Sequence, residues 1–194
     1  MPKGRGVGAK HDERRVQIAD ALLRIAAQRG LAGVNLRDVA QEAGVSVGRV
    51  QHYFGNKDEL LHAAFEEVQG RGSARIQRLL GPDPAPREVL RAIAVDLIPA
   101  DEQARDHLRV ALAFTAQAAV QPEYAERLRD GYRELHELLA LLLRNLGRPE
   151  HAAGPEAVAF LALAEGLGLY VLLDRQTAEE AVAIIDAELD RLLG

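Results

Sequence analysis

Twenty residues near the amino end, Asn35–Phe54, constrain the fold of this chain more than any other segment. Asn35 and Ser46 are each placed to cap a short helix with a side-chain oxygen. Between these helices Gly44 can take the left-handed conformation that a sharp turn requires. The apolar residues recur at helical spacing: Leu36, Val39, Ala40 and Ala43 in the first helix, Val50 and Phe54 in the second. Two short helices joined by a glycine-containing turn predict a helix-turn-helix.

The segment Gly44–Leu60 reads Gly-Val-Ser-x-Gly-x-Val-x-x-Tyr-Phe-x-x-Lys-x-x-Leu. This pattern resembles the DNA-binding signature of TetR-family transcriptional repressors, and the resemblance is specific over about residues 12–65. The family usually has tyrosine where this chain has Gln51, whose amide can read a base edge instead of binding a phosphate. The resemblance implies an all-α fold with an N-terminal three-helix DNA-binding domain and a C-terminal helical domain for ligand binding and dimerisation.

Apolar periodicity, capping residues and proline breaks predict nine helices and no strand. We expect them at about 12–28, 36–43, 47–54, 57–80, 86–98, 101–119, 122–146, 155–173 and 178–193. The predicted domains are a flexible basic arm (1–11), a helix-turn-helix domain (12–57) and a helical ligand-binding and dimerisation domain (58–194). The arm can either contact DNA or remain a solvated tail.

The charge of the chain is divided unevenly. Residues 1–57 hold ten basic and five acidic residues, a net +5, whereas the whole chain carries −5, so the remainder carries −10. A basic head on an acidic body is expected when one end of a protein meets DNA.

Several classes of protein are excluded by composition. No cysteine is present, so neither a disulfide framework nor a thiolate metal site can form. Glu165 and Arg144 interrupt the longest apolar runs, and no signal peptide is visible, so we expect a cytoplasmic protein. Glu59-x-x-His62 has the spacing of one half of a di-metal site, but the second half is missing. With no catalytic grouping, the sequence predicts no enzyme, cofactor or metal.

The outward side chains of the motif match, by position, residues that touch DNA in the family. They are Arg37, Ser46, Val47, Gly48, Arg49, Gln51, His52, Tyr53 and Lys57. Val47 can meet a thymine methyl group, Gln51 an adenine edge, and Arg49 a guanine or a phosphate. The alternative for the charged members is a solvated surface.

The apolar segment 157–173 and the last helix suggest a dimer. The family resemblance implies that the dimer interface is formed by the last two helices. The predicted interface residues are Val158, Leu161, Leu169, Leu172, Ile185 and Leu189. A helix without a polar face is buried on both sides, here by its own core and by a partner. The alternative is that these residues form the core of one chain.

Polar and aromatic residues in apolar surroundings are candidates for a ligand site. They are Phe65, Arg109, Phe114, Gln117, Tyr132 and Glu165. Glu165 is the strongest candidate for a ligand contact, because buried acids are rare unless paired. It can bind a cationic ligand, pair with an arginine such as Arg109, or lie at the dimer seam.

Together these features predict a ligand-responsive transcriptional regulator. We expect a repressor that binds double-stranded DNA at a palindromic operator as a homodimer and is released by a small-molecule inducer. The alternative is a DNA-binding protein with an architectural or partner-controlled role and no small-molecule inducer.

Overall fold

The computed structural model describes the backbone of residues 5–194 and the side chains from residue 13 onward, except at positions 32, 69, 79 and 123. Within these residues the chain forms nine α-helices, one 3₁₀ turn (Leu31–Gly33) and no strand. The helices are α1 Arg5–Arg29, α2 Leu36–Glu42, α3 Val47–Phe54, α4 Lys57–Leu79, α5 Pro86–Asp96, α6 Glu102–Ala118, α7 Pro122–Asn145, α8 Glu150–Leu172 and α9 Ala178–Leu193. The all-α prediction with nine helices is confirmed.

Side-chain caps set the starts of α2, α3 and α4 where the sequence predicts them. In each case a side-chain oxygen accepts a hydrogen bond from the backbone N–H three residues on, at 2.9 Å for Asn35, 3.2 Å for Ser46 and 2.9 Å for Asn56. Such a cap contributes about 1 kcal/mol to helix stability. The same local chemistry recurs at Thr177, which caps α9 together with Glu180.

The start of α1 differs from the prediction. The helix begins at Arg5 rather than at Asp12, so Arg5–His11 are helical. Extending an existing helix adds one hydrogen bond for each residue fixed, which offsets the low propensity of Gly6 and Gly8. Residues 1–4 of the predicted arm lie outside the described residues.

The start of α8 also lies earlier than predicted, at Glu150 rather than at Pro155. Pro155 is therefore inside the helix, where it removes one backbone donor. The residue before a proline is disfavoured in a helix because its Cβ and N–H clash with the proline ring. That residue is Gly154, which has no Cβ, so part of the penalty is absent.

The chain divides into two compact units. The first comprises the residues up to Arg71 together with Arg109–Ala116. Its core is formed by apolar side chains that are at most 1 % exposed: Ile18, Leu22, Val39, Val50, Phe54 and Leu60. The core holds α1, α2 and α3 together as the three walls that the sequence predicts, with α1 packed on α2 and α2 packed on α3.

The first unit extends beyond Lys57, where the sequence placed its end. The early turns of α4 bury Leu60, Leu61 and Ala64. Helix α4 therefore belongs to both units, whereas the predicted boundary after Lys57 assigns almost all of it to the second.

The second unit comprises Gly72–Leu108 and Gln117–Gly194. In it α8 packs on α7 and α9, and α5 packs on all three. Its largest fully buried side chains are Leu90, Leu139, Leu143, Phe160, Leu161, Ile185 and Leu189. Helix α8 is long and apolar enough to cross a membrane, and among the described residues no other helix is. The buried side of α8 packs against α5, α7 and α9, which accounts for part of this apolar composition.

Candidate nucleic-acid interface

The turn between α2 and α3 depends on Gly44. Its φ is +65°, a conformation that a residue with a Cβ rarely adopts. The turn is closed by backbone hydrogen bonds from the Gly44 N–H to the Gln41 carbonyl at 3.1 Å and from the Val45 N–H to the Ala40 carbonyl at 2.9 Å. This geometry sets the direction in which α3 leaves α2.

The inner side of α3 is held by apolar packing. Val50 is fully buried and Phe54 is 1 % exposed. The guanidinium of Arg15 lies over the Phe54 ring, 4.9 Å from its centroid. A cation over an aromatic face adds an electrostatic attraction to the packing. These contacts fix the rotation of α3 about its axis and so decide which residues face outward.

The outer side of α3 carries the predicted DNA-contacting residues. Among them, the exposed ones are Arg37, Ser46, Val47, Gly48, Arg49, Gln51 and His52. Tyr53 and Lys57 are half-buried, and the His52 and Tyr53 rings meet edge to face with centroids 5.6 Å apart. At Gly48 an added Cβ would meet nothing within 4 Å, so the helix surface is open there. The structure thus brings all nine residues to the surface of the first unit.

Ion pairs within the first unit engage acids that precede α3 in the chain. The two acids of α2 are paired with arginines of α1: Glu42 with Arg24 at 2.6 Å and Asp38 with Arg29 at 3.5 Å. Within the described part of the chain, Arg49 and Lys57 have no carboxylate within 4.0 Å. With the α2 acids paired, the cations of Arg49 on α3 and Lys57 at the start of α4 are groups suited to binding phosphates.

Two protein-family models match this chain. A model described as "Bacterial regulatory proteins, tetR family" matches residues 18–64, and a second, "BetI-type transcriptional repressor, C-terminal", matches residues 86–194. The chain belongs to the TetR family. The first match covers the helix-turn-helix, and the second covers most of the remaining helices.

Relatives of this TetR-family protein are transcriptional regulators. The regulator PksA of Bacillus subtilis is 34% identical over 166 residues, which are 84% of this chain and 81% of PksA. The regulator BetI of Burkholderia mallei is 35% identical over 158 residues, 80% of each chain. This TetR-family protein is therefore a DNA-binding transcriptional regulator of BetI type, and the prediction that it is not an enzyme is confirmed.

Solved structures share the fold of the TetR-family regulator. A transcriptional regulator from Rhodococcus sp. Rha1 is 32% identical with a TM-score of 0.81, over 92% of this chain and 95% of its own. A regulator from Saccharomonospora viridis, solved in complex with choline, is 24% identical with a TM-score of 0.78, over 92% and 96% of the two chains. At that identity the second likeness concerns the fold alone.

The predicted ligand residues fall into two groups, one in each unit. Phe65, Arg109 and Phe114 belong to the first unit, where the Phe65 and Phe114 rings pack with centroids 5.2 Å apart. Gln117, Tyr132 and Glu165 belong to the second unit. Phe114 is buried, and the other five are half-buried.

In the second unit Tyr132 of α7 and Glu165 of α8 form a direct pair. The tyrosine hydroxyl donates to the glutamate carboxylate at 2.5 Å, and the His136 ring stacks on Tyr132 with centroids 5.9 Å apart. Burial raises the pKa of the Tyr132 phenol, and the hydrogen bond to Glu165 raises it further. A neutral phenol thus orients a carboxylate next to aromatic surface, an arrangement that can attract a cation.

A cleft of about 510 Å³ in the second unit was not foreseen. It is lined by Pro99, Ala100, Arg105, Val171, Asp174, Arg175, Gln176, Thr177, Ala178, Glu179 and Glu180. Arg105 donates to the carbonyls of Val171 at 3.1 Å and Leu172 at 3.2 Å and to Asp174 at 2.6 Å. This arginine satisfies the last carbonyls of α8. Its partners are about 70 residues away in sequence, so no local pattern signals them.

Three of the six predicted interface residues lie in the interior of the chain. Leu161, Ile185 and Leu189 are at most 2 % exposed and belong to the core of their own unit. Val158 is 47% exposed, whereas Leu169 and Leu172 are half-buried. An apolar sequence does not by itself distinguish the two, because a core and an interface both require apolar residues. The other large exposed apolar side chains described in the second unit are Val120, Leu138, Leu141, Tyr170, Leu173 and Ile184.

Proposed function

We propose that this regulator is a cytoplasmic repressor that binds a palindromic operator as a homodimer and is released by a small-molecule inducer. The observation that carries the proposal is α3, whose inner side is buried and whose outer side exposes Arg49, Gln51 and His52. A helix presented in this way can enter a major groove, with its exposed side chains at base edges and flanking cations at phosphates.

In the proposed complex the base-reading residues are Val47, Arg49 and Gln51. Gln51 can form two hydrogen bonds with adenine, Arg49 can do so with guanine, and Val47 can pack on a thymine methyl group. Arg37 and Lys57, at the first turns of α2 and α4, are proposed to hold phosphates. A single unit of this size reads few base pairs, so two units related by a two-fold axis are expected to read a palindrome.

The proposed dimer uses the outer side of α8 and α9. Val158, Ala162 and Tyr170 are exposed on α8, and Ile184 is exposed on α9. Apolar residues exposed together on adjacent helices favour an interface. A partner that covers them would remove this surface from water, which supports a contact between second units.

Replacing Val158 with glutamate should shift the dimer toward monomer. A buried charge without a partner opposes association, so we expect the dimer dissociation constant to rise about tenfold or more. Sedimentation equilibrium measures this constant. Val120→Glu is the matched control, because Val120 is 76% exposed in the α6–α7 turn. If both variants dimerise alike, the proposed interface is wrong.

For the inducer we propose a small organic cation held by the second unit. The support is the carboxylate of Glu165, oriented by Tyr132 and bordered by its ring. A quaternary ammonium ion is attracted both to a carboxylate and to aromatic faces. Choline is a suitable probe, since a regulator of the same fold has been solved with it.

Glu165→Gln should weaken choline binding about tenfold, because the amide keeps the shape of the side chain but removes its charge. Isothermal titration calorimetry measures the affinity, and Glu137→Gln on the exposed side of α7 is the control. The uncharged tert-butyl analogue of choline should bind poorly to the wild type and to Glu165→Gln alike. Equal choline affinity in wild type and Glu165→Gln would contradict the assignment. Failure of choline to release operator DNA would favour the alternative without a small-molecule inducer.

A further inference from the structure

The cleft beside the α8–α9 turn has the size of a small-molecule site. Its volume of about 510 Å³ lies in the range of pockets that enclose drug-sized ligands. The α5–α6 linker, α6, the end of α8 and the start of α9 contribute its walls, and all of them belong to the second unit. Neither Tyr132 nor Glu165 lines it. A ligand bound here would therefore be distinct from the inducer proposed above.

Three of the five charged side chains that line the cleft already have partners. Arg105 binds Asp174 at 2.6 Å. The carboxylate of Glu180 accepts a hydrogen bond from the Thr177 backbone N–H at 2.8 Å, which is part of the capping box of α9. The remaining two charged side chains are the ones that a ligand can pair with.

The two charged side chains without such partners are Arg175 and Glu179. Among the residues that the structure describes, neither has an oppositely charged group within 4.0 Å. The Arg175 guanidinium lies instead over the Tyr170 ring, 4.5 Å from its centroid. An uncompensated cation and an uncompensated carboxylate in one cleft are complementary to a ligand that carries both charges.

A buried amide lies between these two residues in the chain. The Nε2 atom of Gln176 is buried and has no hydrogen-bond partner in the described structure. A buried donor left unpaired is costly, so an acceptor supplied by a ligand would stabilise it. The backbone N–H groups of Ala178 and Glu179, at the start of α9, also lack an acceptor within their helix. These donors suit a carboxylate, which only accepts.

Apolar side chains complete the lining of the cleft. They belong to Pro99, Ala100, Val171 and Ala178. Small-molecule sites typically combine apolar walls with a few placed polar groups. We propose that the cleft binds a small aliphatic amino acid. Its carboxylate accepts hydrogen bonds from Gln176 and Arg175, its ammonium group pairs with Glu179, and its side chain packs on the apolar residues.

An NMR titration of the full-length protein with leucine tests the site. Two compounds share the leucine skeleton: 4-methylpentanoate lacks the ammonium group, and 3-methylbutylamine lacks the carboxylate. The side-chain amide signal of Gln176, identified by its absence in Gln176→Leu, should shift saturably with leucine. Leucine should bind about tenfold or more tightly than either analogue. If the signal does not move with leucine, or if leucine binds no more tightly than the analogues, the proposal is refuted.

Substitution of the two free charges separates the parts of the site. Glu179→Gln should lower leucine affinity about tenfold and leave 4-methylpentanoate affinity unchanged, whereas Arg175→Gln should weaken both about tenfold. The matched controls Glu137→Gln and Arg129→Gln, on the exposed side of α7, should bind leucine like the wild type. Choline lacks a carboxylate and should leave the Gln176 signal in place, whether or not it acts as the inducer. Wild-type leucine affinity in both cleft variants would overturn the assignment.

Discussion

Alanine at Arg49 or at Gln51 should weaken operator binding by about 1–3 kcal/mol, a roughly 5- to 150-fold loss of affinity, while the free energy of unfolding stays unchanged. Both side chains are exposed on the outer side of α3, and neither contributes to the core that Val50 and Phe54 form. Fluorescence anisotropy with a selected duplex at roughly 0.15 M salt measures the affinity, since electrostatic contributions depend on salt.

The control for this result is Arg129→Ala. Arg129 is exposed on α7, where it donates to the Ala125 carbonyl of its own helix at 3.1 Å. Its removal changes the net charge by the same amount as Arg49→Ala but leaves the α3 surface intact.

Gln51→Ala should also lose specificity at one operator position, because base contacts specify sequence. If neither α3 variant binds more weakly than the control, α3 is not the recognition helix.

A second large effect is expected in the second unit. Gly168→Ala should destabilise the protein by about 1–3 kcal/mol, the usual range for overpacking. The Cβ would lie 2.4 Å from the carbonyl oxygen of Leu97, just after α5, and backbone cannot move aside as a flexible side chain can. Urea unfolding monitored by circular dichroism measures the loss.

The matched control lies two residues away in the same helix. At Gly166 an added Cβ meets nothing within 4 Å, so Gly166→Ala should be neutral or stabilise by up to about 1 kcal/mol. The two variants make the same chemical change in α8 and differ only in what the methyl group meets. Equal stabilities would show that α8 can shift away from α5 without cost.

The parts of the fold that follow from neighbouring residues were predictable. Asn35, Ser46 and Asn56 each accept a hydrogen bond from the backbone N–H three residues on. Gly44 turns the chain through its own positive φ. Each of these features is therefore determined by a few consecutive residues. The exposure of Arg49 and Gln51 follows equally from Val50 and Phe54, because helical spacing decides which side is buried. The prediction of nine DNA-contacting residues rests on the family resemblance, and their exposure rests on such local information.

Contacts between distant residues were not predictable in the same way. The sequence shows that Leu161 and Val158 are apolar, but only the packing of α8 on α7 and α9 decides that one is buried and the other exposed. The pairing of Glu165 with Tyr132, 33 residues apart, likewise depends on how two helices align. Arginine was one of three alternatives considered for that glutamate, and its observed partner is a tyrosine.

The cap at Ser46 also has a consequence for the proposed complex with DNA. Its hydroxyl oxygen accepts a hydrogen bond from the Arg49 backbone N–H, and this bond uses one lone pair of the oxygen. A hydroxyl group still has a proton to give, and a phosphodiester oxygen can only accept. One atom can therefore anchor the first turn of the helix and hold the sugar–phosphate strand simultaneously. An aspartate in its place could cap equally well, yet its carboxylate would repel the strand.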